Sequence, residues 1–73
     1  MNEKLKKRLQ ICSLFIQVED AQESITMLEM LHNNAQVEGK YDLVQKLFAI
    51  IQLLDLSEFD KAVEAIHALI GSL

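Results

Sequence analysis

The chain has no tryptophan, no proline, one cysteine and two glycines in its 73 residues. A single cysteine, Cys12, excludes an intrachain disulfide. With only His32 and His67 beside it, in separate stretches, there is no zinc ligand set either. Neither Gly nor Pro falls between Val18 and Ala21, so any break there must come from patterning. Strand-like alternation, low-complexity runs and linkers are missing. So is a run of about 20 apolar residues of the kind that spans a bilayer. The basic start followed by apolar Leu9 to Val18 has the order of a secretory leader but no small-residue cleavage site. These absences predict a single helical domain over residues 1–73, with no membrane insertion, in a reduced, cytoplasmic compartment.

What the chain does have is apolar surface: 51% of its residues are hydrophobic. A domain this small buries only about 60% of the surface that its unfolded form exposes, and it lacks disulfide or metal to compensate. The expected help is another polypeptide, a second copy or a different helical chain. The net charge of −4 hides an asymmetry. Lys4, Lys6, Lys7 and Arg8 are four of the seven basic residues, whereas all acidic residues except Glu3 lie beyond position 18. Such a surface repels phosphate backbones, so nucleic acid is not an expected partner.

Hydrophobic spacing predicts four helices, at roughly 3–17, 20–32, 41–54 and 57–71. In the first, Leu5, Leu9, Cys12 and Ile16 share a face, which Ile11, Leu14, Phe15 and Val18 are expected to widen. Its basic residues sit where the helix dipole disfavours positive charge. They read either as a solvated start or as a docking site for an acidic partner surface. Asp20 with Glu23 has the form of a capping box and marks a turn before the second helix. There Ile25, Leu28 and His32 form one row, Met27 and Leu31 another, with Met30 beside them. Asn33 to Lys40 reads as a loop, because asparagine and Gly39 tolerate left-handed backbone. The third helix places Leu43, Leu47, Ile50 and Leu54 in a row beside Val44, Phe48 and Ile51, nearly apolar all round and so expected to be central. Asp55-Leu56-Ser57 is a tight connection. Ser57 is expected to cap a fourth helix, whose rows are Phe59, Val63, Ile66, Ile70 and Leu73, and Ala62, Ala65 and Leu69. So short a link forces an antiparallel αα-hairpin.

Candidate chemistry is sparse. Cys12 lies among Leu9, Phe15 and Ile16, the setting of a buried small hydrophobe, with no base in view. No serine stands in a nucleophile-elbow context. The string His67-Ala68-Leu69-Ile70-Gly71-Ser72 resembles the helix around the phosphorylated histidine of histidine-phosphotransfer domains. It departs from that pattern by placing Ile70 at the lysine position and by ending soon after Gly71, where those domains continue into further helices.

The segment Ser57-Glu58-Phe59-Asp60-Lys61-Ala62-Val63-Glu64-Ala65-Ile66 resembles the turn and second helix of a tetratricopeptide hairpin, with Phe59 and Ala62 at the family's aromatic and alanine positions. Asp55-Leu56 replaces that family's glycine-containing turn, and its Trp, Gly and Tyr marks are absent. Among tetratricopeptide-like proteins the helix order is similar to the small chaperone subunits that guard type III secretion needle proteins. The apolar first helix, the Met30-Leu31-His32 end of the second and the Phe59/Ala62 hairpin carry that likeness. Asp20 to Leu31, Leu43 to Phe48, and Ser57-Glu58-Phe59 with Ala62 and Ile66 are also similar to the L27 heterodimerisation domain. That likeness leaves an extra first helix and a longer middle segment.

The expectation is therefore an all-α fold, either tetratricopeptide-like or a small bundle of helical hairpins, without catalytic residues, cofactor or metal. It would act as a binding module or small chaperone that holds a partner helix. Met27, Met30, Phe48, Phe59 and Ile66 are the candidate core or groove contacts. The alternatives are a self-associating helical bundle and a degenerate phosphotransfer domain.

Overall fold

A computed structural model of the chain describes residues 2–73, and within it the fold is all-α. Helix α1 spans Glu3–Gln17, α2 Ala21–Val37, α3 Tyr41–Asp55 and α4 Phe59–Ser72. Each runs 14 to 17 residues, or about 21–26 Å at 1.5 Å per residue, and the molecule measures 30 × 20 × 18 Å. The helices form a closed circuit: α1 packs on α2, α2 on α3, α3 on α4, and α4 back on α1. Among the described residues no backbone approach links the diagonals, α1 with α3 or α2 with α4. The result is an all-α arrangement of four helices in which every helix has two neighbours. Helix α3 is correspondingly not central; it has two neighbours, as every helix does.

A positional repeat underlies the circuit. Leu9, Leu28, Leu47 and Ile66, one residue near the middle of each helix, recur every 19 residues and are all fully buried. Cys12, Leu31, Ile50 and Leu69 follow three residues later at the same interval, and all are buried. Ile16, Ala35 and Leu54 close the first three helices in the same register. The 19-residue interval spans one three-residue link and parts of the two helices that flank it, so identical spacing delivers equivalent residues to the shared interior. Twelve buried apolar side chains, drawn from all four helices, form one core. At 25–30 cal/mol per Å² of apolar area removed from water, a core drawn from every helix is what holds elements too short to be stable alone.

The three links, Val18–Asp20, Glu38–Lys40 and Leu56–Glu58, are built alike. In each, the middle residue takes a left-handed backbone: Glu19 at φ 64°, Gly39 at φ 75° and Ser57 at φ 60°. Its N–H donates to the carbonyl two residues before the helix cap: Glu19 to Ile16 at 3.1 Å, Gly39 to Gln36 at 3.1 Å, Ser57 to Leu54 at 3.0 Å. The next N–H reaches one residue further back, Asp20 to Phe15 at 2.7 Å, Lys40 to Ala35 at 2.9 Å, Glu58 to Leu53 at 2.9 Å. This paired closure is the Schellman motif, and it satisfies the carbonyls that a helix end otherwise strands. The same third residue then begins the next helix.

Several local expectations are corrected by this geometry. Residues Asn33 to Val37 are the last turns of α2 rather than loop, because Ala35 is buried in the core and Gly39 supplies the stop. Ser57 does not cap α4; it occupies the left-handed position, and Glu58 stands at the N-cap. Asp20 is at the N-cap of α2, but neither it nor any other N-cap residue makes a side-chain capping bond. Asp42 pairs with Lys46 at 3.2 Å across one turn of α3. Asn2 turns its amide towards the Leu73 carbonyl at 3.4 Å, joining the start of α1 to the end of α4.

Candidate docking face

Helix α1 has two apolar faces rather than one broad face. Leu9, Cys12 and Ile16 turn into the core, with Leu5 half-buried against it. Ile11, Leu14 and Val18 face away from it and are 40%, 57% and 69% exposed. At 100° per residue, positions 11, 14, 15 and 18 cluster on one side of the helix, well round from the buried row. The widening expected from the sequence is thus a separate outer strip, with Phe15, half-buried, along its edge.

The neighbouring helix extends this strip. Lys4 and Arg8 of α1 line one crevice with Asn34 and Glu38 of α2. Ile11 and Phe15 continue the α1 row by steps of three and four, and Met30 and Met27 continue the antiparallel α2 row in the matching direction. By helical register the outer α1–α2 seam thus carries charged side chains at one end and apolar ones towards the other. Met30 is 46% exposed there, while Met27 is half-buried and packs on the core. Glu23 lies one turn beyond Met27 on the same α2 row and is exposed.

The other expected contact residues do not join this groove. Ile66 is fully buried in the central core layer, so it is a packing residue and unavailable to a partner. Phe48 is half-exposed on α3, tilted 47° to His32 with ring centroids 6.3 Å apart, in a crevice with Glu29, Asn33 and Ile51. Phe59 opens α4 and lines a different crevice with Ile16, Glu19 and Ala21. Of the five, only Met27 and Met30 lie together. Ile11, Leu14, Phe15 and Val18 were not among the expected contact residues. Their signal was legible as helical periodicity, but the same periodicity had assigned them to the core.

Three lysines are paired within the chain. Lys40 pairs with Glu38 at 3.2 Å, Lys46 with Asp42 at 3.2 Å and Lys61 with Glu58 at 3.1 Å. Among the described residues, Lys4, Lys6, Lys7 and Arg8 form no ion pair, and neither do Glu19 and Glu23. Among the described residues, the basic residues of α1 thus have no acidic partner, and most acidic residues have no basic one.

Cys12 and His67 occupy opposite settings, one buried and one exposed. Burial pushes the Cys12 thiol up from 9.0 to about 11, although the Ser24 side chain works in the opposite sense. The Ser24 hydroxyl itself, also buried, donates to the Cys12 carbonyl at 3.0 Å and ties α2 to α1. His67 is exposed on α4, while Ile70, where a phosphotransfer helix has lysine, is half-buried against the core. No group of three or more metal-ligating side chains occurs among the described residues. No described helix is long and apolar enough to cross a membrane.

Comparison with protein-family models, curated proteins and solved structures finds no match for this chain.

Proposed function

We propose that this chain is a non-enzymatic protein-interaction module whose outer α1–α2 groove receives an amphipathic helix of another polypeptide. One observation carries the reading: the core is already closed by all four helices, yet Ile11, Leu14 and Val18 remain exposed in a row on the far side of α1. Scattered exposed apolar residues are ordinary on a protein surface, whereas a contiguous row at helical spacing is the shape that a second helix fills. Met30 and Met27 border the row, and flexible thioether side chains adapt to a packed partner. A chaperone for a helical client is the form of this function closest to the sequence resemblance. A reducing, cytoplasmic setting suits the buried, free Cys12.

The test compares Leu14→Asp with Phe48→Asp, two half-exposed positions on different faces. Both variants should keep the helical circular dichroism of the parent. Association with a helical client, read by sedimentation or by anisotropy of a labelled chain, should be lost in Leu14→Asp and kept in Phe48→Asp. Equal loss in both, or loss only in the second, would place the docking surface elsewhere.

A further inference from the structure

The 19-residue recurrence lets the outward positions of the four helices be compared. Leu14, 57% exposed on α1, corresponds to Asn33, Gln52 and Gly71, so only α1 carries a large apolar side chain at that place. The same register sets Lys4 and Arg8 of α1 against Asp42 and Lys46 of α3. In α3 these two positions hold opposite charges and pair at 3.2 Å. In α1 they hold two cations one turn apart, a spacing at which like charges repel. Lys4 and Arg8 also line a crevice of about 180 Å³ with Lys40 and Asn34, over buried Leu31 and Ala35. Glu38 is the one carboxylate among the described lining residues, and Lys40 holds it at 3.2 Å. The crevice is thus a cationic notch in a chain whose net charge is −4, and it opens at the end of the apolar strip.

We propose that the helix received by this face is an acidic one, with carboxylates at one end seated against Lys4, Lys7 and Arg8. Its next turns form an apolar seam over Ile11, Leu14, Phe15 and Val18. This inference rests on the docking reading above and gives the partner its chemistry. Positions 4, 7, 8, 11, 14, 15 and 18 follow one another at helical spacing, so cations and apolar row share one side of α1. From Lys4 to Val18 that side is about 21 Å long, which sets the occupant at about four turns. Carboxylates at the notch replace repulsion between neighbouring cations with charge-assisted hydrogen bonds. An anionic bilayer is a poorer match. A helix lying in the interface carries its cations beside the apolar face, whereas here they precede the apolar row on the same side. The Ser24 hydrogen bond to the Cys12 carbonyl also sets exposed Glu23 beside the middle of α1, where a flat anionic surface meets it. A single helix, about 10 Å across, can lie on the strip and avoid it.

The test is selection from a displayed library of helices of about 18 residues, with a fixed leucine seam and with Glu, Gln or Lys allowed at the flanking positions of both ends. The baits are the wild-type chain, Lys4→Glu/Arg8→Glu and Leu14→Asp, each first shown to be helical by circular dichroism. Wild type should enrich Glu at one end of the seam, and the charge-reversed variant should enrich Lys at that same end. A Glu-ended peptide selected on wild type should bind the charge-reversed variant roughly tenfold or more weakly in fluorescence anisotropy, and should lose binding to Leu14→Asp. Enrichment with no charge preference, or with the same preference on both baits, overturns the acidic partner. If Leu14→Asp still loses those peptides, the docking face itself stands. No enrichment on wild type above that on Leu14→Asp removes both readings. Two other occupants are measured alongside. Pelleting of wild type with phosphatidylserine–phosphatidylcholine vesicles, lost in the charge-reversed variant, makes the face a membrane contact. A dimer in sedimentation equilibrium that Leu14→Asp dissolves makes it a self-contact. Either result overturns the proposal.

Discussion

Glu19 and Ser57 hold left-handed backbone conformations that Gly39 adopts without strain. A side chain in that region costs roughly 1 kcal/mol, which the two closing hydrogen bonds at each link offset here. Replacing either by glycine removes the strain but adds freedom to the unfolded chain. Glu19→Gly and Ser57→Gly should therefore each raise stability by about 0.5 kcal/mol in urea unfolding. Gly39→Ala should lower it by about 1 kcal/mol. Space around Gly39 is open, so that loss would come from φ alone. Cys12 offers a second check at this scale. Its thiol is favoured in the neutral form on folding, so its contribution is fully present below pH 9 and fades as pH rises through about 11. Between those values stability should fall more steeply in the wild type than in Cys12→Ala. Below pH 8 iodoacetamide should label Cys12 only after unfolding.

Helix α2 shows where sequence reasoning reached and where it stopped. Leu28 and Leu31 were legible as core from spacing, but Asn33 and Asn34 read as the start of a loop. Their weak helix preference is a local term of a few tenths of a kcal/mol each, and burial of Ala35 with the closure at Gly39 outweighs it. Amides of Gln36 and Val37 should accordingly show helix-like protection in hydrogen exchange; exchange at the rate of an open loop would contradict the extended α2. In α1 the opposite error arose. Periodicity identified every apolar position but could not say that two rows face different ways, because that depends on where α2 and α4 sit. The two rows should respond differently to substitution. Leu9→Ala should cost about 2–5 kcal/mol of stability, and Leu14→Ala less than about 0.5 kcal/mol in the monomer.

At the scale of the molecule, the all-α class, the four helices and the antiparallel pairing of α3 with α4 followed from pattern and link length. The closed circuit did not, since contact between α1 and α4 is not encoded by any local signal. The 19-residue recurrence of Leu9, Leu28, Leu47 and Ile66 was present in the sequence all along. It was hidden because the residues between them share no motif, only a length. That recurrence explains why the interior is complete with twelve apolar side chains. Completeness in turn makes the outer strip of α1 a surface for something else. The central claim is that this strip is where the chain associates, and heteronuclear NMR of the labelled chain across a dilution series, or on titration with a helical client, tests it most directly. Shifts should concentrate at Ile11, Leu14, Phe15 and Val18 and at Glu23, Met27 and Met30, with Phe48, Leu56 and His67 unmoved. Shifts centred on the α3–α4 side, with the α1 strip silent, would contradict it.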